Sequence, residues 1–440
     1  MRSGRGEAIE FLCANYMDSG QVEMESLLYT FTKEMERGLE GSGGSLLMIP
    51  TYLEADREVP LGRPVIAIDA GGTNFRVGLA SFGSSSGPEL SHFRNYPMPG
   101  LGEEVSSKAF FSTIAGYLEE VADLSDEIGF CFSYATAIQP SGDGRLIRFC
   151  KEVKAKEVEG QLVGERLAAA LEEAGHSGTK RIVLLNDTVA TLLAGRAASA
   201  ERRYESYIGF ILGTGTNCAY IEGNSEIAKL PGLDPSRKQI VNVESGGFGK
   251  APRGAIDLKF DRSTVDPGQY TFEKMISGGY LGRLFGAVLA KGASEGLFSS
   301  DAAGLIGALP PIETRSLGVF LSDPSRARDS LASAFPSISD LDIAYNLAER
   351  LVERAAKLSA VNLAAIALKS GAGRDPRGPV CVTADGTTFY ELKGLREKTL
   401  RFLEPFLLER FGVRCEFARV ENAPMIGAAI AGLSRRGAAR

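Results

Sequence analysis

Apolar residues recur along this chain in two patterns, short continuous runs and longer stretches with helical spacing. Continuous runs predict buried β-strands, and they lie at 65–69, 128–134, 181–185, 209–212 and 380–383. Helical spacing predicts two helices before residue 40 and further helices at 107–124, 159–174, 188–200, 271–290, 343–370, 395–410 and 424–436. Because strands and helices alternate, the pattern predicts an α/β fold with mixed sheets.

Two glycine-rich turns each join a pair of apolar strands. Asp69-Ala70-Gly71-Gly72-Thr73-Asn74 follows the first run, and Gly213-Thr214-Gly215-Thr216 follows the run at 209–212. Glycine lets the backbone approach phosphate oxygens, and successive N–H groups in such a turn form an anion-binding concavity. Either turn alone is commonly a tight hairpin without a ligand. The pair suggests a duplicated phosphate-binding fold.

Two acids stand near these segments. Asp69 lies beside the phosphate donors, where a carboxylate would repel phosphate, so a metal ion is its expected ligand. Asp187 follows the strand predicted at 181–185, and ligands bind at such strand ends in open α/β sheets. It is a candidate catalytic base. Alternatively, Asp187 or Thr188 is the N-cap of the next helix, and the local sequence alone favours that cap.

Size and composition restrict the class of protein. A chain of 440 residues predicts two domains. The net charge of −6 speaks against nucleic acid as a partner. The chain has no run of 18 or more apolar residues, so we expect no membrane span. Residues 1–15 do not resemble a signal peptide. Six dispersed cysteines and two histidines argue against a disulfide scaffold, structural zinc or a His-based triad. We therefore expect a cytoplasmic protein.

Nine short segments, in order, resemble the eukaryotic-type hexokinase and glucokinase family. They are Met48-Ile49-Pro50-Thr51-Tyr52, Asp69-Ala70-Gly71-Gly72-Thr73-Asn74-Phe75-Arg76, Phe132-Ser133-Tyr134, Leu185-Asn186-Asp187-Thr188-Val189, Gly213-Thr214-Gly215-Thr216-Asn217, Asn242-Val243-Glu244-Ser245-Gly246, Phe272-Glu273-Lys274-Met275-Ile276-Ser277-Gly278, Arg354-Ala355-Ala356 and Asp385-Gly386-Thr387. The resemblance implies a duplicated actin-like (ribonuclease H-like) ATPase fold with two lobes and a central cleft. It predicts a small lobe of 64–187 plus 424–440 and a large lobe of 1–63 plus 188–423.

The same resemblance implies a hexokinase that transfers the γ-phosphate of ATP to the 6-hydroxyl of glucose or a related hexose, with Mg²⁺. Its partners would be the hexose and ATP, without nucleic acid or membrane, and the oligomeric state is left open. A catalytically weak sugar-sensing protein of the same fold is the alternative.

Site residues follow from the matched positions. The implied catalytic residues are Asp187 as base, Lys151 and Arg76. The implied sugar-binding residues are Ser133, Cys150, Lys151, Asn186, Asp187, Asn217, Glu244 and Glu273. The implied nucleotide-binding residues are Asp69, Gly71, Gly72, Thr73, Asn74, Arg76, Gly213, Thr214, Gly215, Thr216, Gly386 and Thr387, with Asp69 holding Mg²⁺ through water. The simpler readings are solvated surface acids for Glu244 and Glu273, and a solvent-facing hairpin arginine for Arg76.

The chain departs from the family in one sugar-contacting loop. Where the family has Trp-Thr-Lys-Gly-Phe, this chain has Phe149-Cys150-Lys151-Glu152-Val153. A thiol is a weaker hydrogen-bond donor than a hydroxyl, and glutamate restricts the backbone more than glycine does. We therefore expect sugar affinity or specificity to differ from the family norm.

Overall fold

Two mixed β-sheets carry the fold. The computed structural model describes them within residues 4–54, 59–83, 88–149, 153–199, 202–324 and 331–434. The strands in chain order are β1 (Ile49–Pro50), β2 (Val65–Ala70), β3 (Asn74–Ser81), β4 (Glu89–Pro97), β5 (Glu127–Phe132), β6 (Thr136–Ile138), β7 (Gly144–Leu146), β8 (Arg181–Leu185), β9 (Ser206–Leu212), β10 (Thr216–Gly223), β11 (Lys238–Asn242), β12 (Val380–Asp385) and β13 (Cys415–Ala418).

Helices cover both sheets. They are α1 (Gly4–Ala14), α2 (Met24–Glu40), α3 (Ser107–Tyr117), α4 (Val163–Glu173), α5 (Asp187–Ala198), α6 (Ala255–Arg262), α7 (Glu273–Ile276), α8 (Leu281–Ser294), α9 (Ser300–Gly307), α10 (Thr314–Ser322), α11 (Ile338–Lys369), α12 (Thr387–Glu391), α13 (Leu395–Phe411) and α14 (Ala423–Ser434).

The two sheets share a five-stranded topology, to which the second sheet adds β1 antiparallel to β11. Their strand orders are β4-β3-β2-β5-β8 and β1-β11-β10-β9-β12-β13. In each sheet an antiparallel meander, β2-β3-β4 or β9-β10-β11, pairs through its first strand with a parallel strand, β5 or β12. Further parallel strands, β8 and β13, continue each edge. The duplication expected from the two glycine turns is therefore confirmed.

Helices α5 and α14 fill the space between the sheets. Helix α14 buries residues around its whole circumference, as an apolar helix inside a protein does. It packs against α5 and against β2 and β5. A Cβ added at Gly129 would lie 1.7 Å from the carbonyl oxygen of Ala428, so glycine is what lets this helix approach strand β5. The last helix therefore joins the sheet that carries the first glycine turn. The lobe boundaries stay a prediction, and residues 435–440 lie outside the described residues.

One predicted helix is wrong in an informative way. The stretch 271–290 is broken between α7 and α8, at Ser277-Gly278-Gly279. The N–H groups of Gly278 and Gly279 donate to the carbonyls of Gly213 and Thr214, at 2.8 Å each, instead of continuing the helix. The prediction at 107–124 is likewise too long, because α3 ends at Tyr117 and a short 3₁₀ turn, Ala122–Leu124, follows.

Other features bear on the expected class. Within the described ranges, no helix is both long and apolar enough to cross a bilayer. Of the six cysteines, the structure describes five, and all five are free thiols.

Candidate active site

Aspartates from three strand ends meet between the sheets. Asp69 lies near the end of β2, Asp187 begins α5 directly after β8, and Asp385 ends β12. Asp69 is 6% exposed. Burial is the main cause that raises its pKa to about 6. The Arg76 guanidinium and a hydrogen bond with the Cys131 thiol lower this pKa, whereas the carboxylates of Asp187 and Asp385 raise it further. The centre is therefore a place where negative charge is crowded.

Arg76 faces this centre directly. Its Nη1 lies 3.3 Å from Oδ2 of Asp69, because the two residues are register partners across the β2–β3 hairpin. Its side chain is 39% exposed, so it remains partly accessible despite this contact. The ion pair with Asp69 favours a role for Arg76 in this centre over that of a solvent-facing hairpin arginine.

The donor set fits a nucleotide-borne cation better than a resident metal. Among the described residues, no group of three or more His, Cys, Asp or Glu side chains could hold a metal ion. Mg²⁺ commonly takes one or two protein carboxylates and completes its shell with water and phosphate oxygens. Asp69, with Asp385 and Asp187 near it, offers that arrangement.

The start of α5 differs from expectation. Its N-cap is Asn186, whose Oδ1 accepts from the N–H of Thr188 at 2.9 Å. The cap prediction for Asp187 or Thr188 is therefore wrong by one residue. Oδ1 of Asp187 accepts from the same N–H at 2.9 Å, and the residue stands partly exposed at the first helical position.

A polar network adjoins Asp187. Nδ2 of Asn217 donates to Oδ1 of Asn242 at 2.8 Å and to Oε1 of Glu244 at 2.9 Å, and it lies 3.4 Å from Oδ1 of Asn186. Nδ2 of Asn242 donates to the same Glu244 oxygen at 2.8 Å. Burial raises the pKa of Glu244, the amides oppose the rise, and Asp187 adds to it. These fixed amides and carboxylates are groups that can satisfy several hydroxyls of a polyol.

Glu273 is hydrogen-bonded to the second glycine turn. Its Oε2 accepts from the N–H of Thr216 at 2.9 Å. A Cβ on Gly215 would approach the same oxygen to 2.6 Å. Glu273 and Glu244 are both partly buried and hydrogen-bonded, so reading them as solvated surface acids is wrong.

Three segments distant in sequence meet at this turn. The carbonyl of Gly213 accepts from the N–H of Gly278 at 2.8 Å and from Oγ1 of Thr388 at 2.9 Å. Gly386 has a φ of 111°, and a Cβ there would lie 2.4 Å from the carbonyl oxygen of Leu212. The backbone is therefore packed too closely at this point for any residue but glycine. Thr214 and Gly215 belong to this turn, and Thr387 follows Gly386 as the first residue of α12.

The first glycine turn is open at its tip. The N–H of Gly71 donates to the carbonyl of Asn74 at 3.0 Å, and the hydroxyl of Tyr134 donates to the carbonyl of Gly71 at 2.9 Å. Gly72 is partly exposed, and Thr73 and Asn74 are exposed. The turn thus has a fixed base and an exposed tip.

Of the sugar-binding residues predicted at 133, 150 and 151, the structure describes Ser133. Its N–H donates to the carbonyl of Ala70 at 3.1 Å, which holds it beside the first turn. Cys150 and Lys151, predicted as sugar-binding and, for Lys151, catalytic, lie outside the described residues.

Sequence reasoning did not assign several residues that complete the site. Asn242 ends strand β11, two positions before Glu244 in a matched segment, so it could have been inferred. Asp385 ends an apolar strand much as Asp69 does, which was a usable signal. The contacts of Gly278 and Thr388 with the second turn had no local signal.

The duplicated sheets, paired glycine turns and central acids define an actin-like ATPase fold of the sugar-kinase class. Sequence models described as hexokinase match residues 13–197 and 207–434. Hexokinase of Schwanniomyces occidentalis is 30% identical over 401 residues, covering 85% of this chain and 81% of that protein. Hexokinase-2 of Candida albicans is 29% identical over 410 residues, covering 87% of this chain and 82% of that protein. The structure of Schistosoma mansoni hexokinase complexed with glucose matches with a TM-score of 0.79 and 25% identity over 98% of both chains. The chain belongs to the hexokinase family.

Proposed function

We propose that this chain transfers the γ-phosphate of ATP to the 6-hydroxyl of glucose or a related hexose, with Asp187 as general base. ATP-dependent hexose phosphotransfer follows from family membership. The residue roles and the Mg²⁺ ion are part of this proposal. The observation that carries them is the position of Asp187, which acts electrostatically on the acid of one glycine turn, Asp69, and on the acid of the polar network, Glu244.

The polar network is the feature that favours a sugar-binding site on one side of Asp187. Asn186, Asn217 and Glu244 present amide and carboxylate groups already fixed by mutual hydrogen bonds. Their order lowers the entropy cost of binding a polyol. Glu273 and Ser133 lie at the neighbouring turns, and the hexose would lie against this set with its primary hydroxyl toward Asp187.

The two glycine turns support a nucleotide on the other side. Their backbone N–H groups suit phosphate oxygens, and Gly386 with Thr387 borders the second turn, where adenosine would lie. Mg²⁺, when bound with ATP, would neutralise phosphate charge. Asp69 would hold it through water, and Arg76 would stabilise charge on the transferring phosphoryl group.

Asp187 then orients the hexose hydroxyl and accepts its proton as the phosphoryl group transfers. Positioning and charge neutralisation supply most of the catalysis in such reactions. Closure of the cleft would exclude water, which competes with the hexose for the phosphoryl group.

The test is the turnover of Asp187→Asn in a glucose- and ATP-dependent ADP-release assay. We expect kcat to fall by roughly 10²–10⁴-fold with an unchanged urea midpoint. Asp301→Asn is the matched control, because Asp301 is also an acid in the first turn of a helix, α9. The kcat of this control variant should stay normal.

Near-normal turnover of Asp187→Asn would remove Asp187 from the mechanism. A wild-type protein that binds sugar without turnover would favour the sugar-sensing alternative. A panel of hexoses in the same assay gives the preferred substrate.

A further inference from the structure

A cation–π contact borders the candidate sugar site. The guanidinium carbon of Arg148 lies 5.1 Å from the centroid of the Tyr270 ring, within the distance at which such contacts are attractive. Both side chains are partly buried, and partial desolvation strengthens the attraction.

The two residues are anchored in different hydrophobic cores. Phe149, next to Arg148, packs its ring 5.0 Å from that of Tyr134, in the core of the β2–β5 sheet. Tyr270 leads directly to Phe272, which is buried in the core of the other sheet. The Arg148–Tyr270 contact therefore links the two halves of the molecule across the cleft.

The same arginine acts on Glu244. Its charge lowers the pKa of that carboxyl, against the larger effect of burial. Glu244 and Tyr270 also share a left-handed backbone conformation, with φ of 57° and 47°. Bulky residues adopt it rarely, and it persists where the surroundings impose it. Arg148 thus interacts with two strained positions of the other half.

We propose that Arg148 and Tyr270 are positioning residues for the hexose, and that their contact holds the arginine beside Glu244 without closing over it. The proposal rests on the proposed function, in which Glu244 binds the sugar. An unrestrained arginine would tend to form a bidentate salt bridge with a nearby carboxylate. Held on the tyrosine ring, Arg148 places a positive charge near Glu244 and leaves Oε2, the oxygen to which the two asparagine amides do not donate, available to sugar hydroxyls.

The test compares Arg148→Met, Tyr270→Leu and the double variant. We expect each single substitution to raise the hexose KM by about 2- to 30-fold, the range that corresponds to a cation–π contact. The KM for ATP should stay unchanged. Because either substitution removes the same contact, the double variant should be no worse than the more affected single one. Tyr270→Phe keeps the ring and should keep most of the hexose affinity.

The control is Arg202→Met. Arg202 lies 5.5 Å over the ring of Tyr204, just before β9 begins and so at the end of that strand remote from the turn at 213–216. Removing that contact should leave the hexose KM unchanged.

Hexose binding measured by calorimetry without ATP makes the test independent of turnover. An unchanged hexose affinity in both single variants would overturn the proposal, as would additive effects or a parallel rise in the KM for ATP. Failure of the proposed function would be seen separately, as normal turnover in Asp187→Asn or none in the wild type.

Discussion

Replacing Asp69 by asparagine should impair activity and should make the protein more stable relative to the wild type as the pH rises from acid to neutral. In the folded state, burial and the neighbouring Asp187 and Asp385 carboxylates raise the pKa of Asp69 from 3.8 to about 6, against Arg76 and Cys131. The folded state therefore binds this proton more tightly than the unfolded chain does. Stability from this group is fully present below pH 3.8 and is lost as the pH rises through 6.

The magnitude follows from the two pKa values. At 1.36 kcal/mol per unit, the ionised Asp69 costs about 3 kcal/mol at pH 7.5 and about 1 kcal/mol at pH 4.5. Asparagine cannot ionise, so the difference in unfolding free energy between Asp69→Asn and the wild type should shift by about 2 kcal/mol in favour of the variant between these pH values. Loss of the Arg76 contact affects the absolute values more than this difference.

Urea unfolding at pH 4.5 and 7.5 measures this change in the difference in unfolding free energy. Nucleotide and Mg²⁺ are left out, because ligands that bind only the folded state would add their own stabilisation. Asp234→Asn is the control of opposite sign. The pKa of Asp234 is lowered by hydrogen bonds from the side chain and the N–H of Ser236, so its contribution is present at neutral pH and lost in acid. A difference between Asp69→Asn and the wild type that is independent of pH, or that shifts toward the wild type between pH 4.5 and 7.5, would refute the reasoning.

Two further substitutions test close packing and buried charge. Gly386→Ala would place a Cβ 2.4 Å from the carbonyl oxygen of Leu212, so the KM for ATP should rise several-fold, whereas Gly232→Ala, also at positive φ but with open space, should leave it unchanged in the kinase assay. Arg354→Met would leave Asp257 buried without the two guanidinium hydrogen bonds of 2.7 and 2.8 Å, at a cost of about 3–5 kcal/mol in urea unfolding. The double variant Arg354→Met/Asp257→Leu should recover most of that loss, and a double variant as unstable as the single one would contradict the explanation.

The sequence alone determined the classes of element and the chemistry of the turns. Strands such as Val65–Ala70 are buried on both faces, so their continuous apolar runs were recognisable without a structure. The glycine turns and the acids at strand ends were visible because close backbone approach and cleft chemistry restrict which residues can stand there.

Tertiary structure decided which of these groups act together. The raised pKa of Asp69 depends on burial and on carboxylates that follow other strands, and no local window contains them. The break after α7 arises because Gly278 bonds to Gly213, a contact that outweighs the helical pattern of the stretch around it. The contact between Arg148 and Tyr270 likewise exists only once the two cores face each other. Local sequence limits what each residue can do, and only the packing of distant strands fixes the distances and the dielectric surroundings that decide what it does.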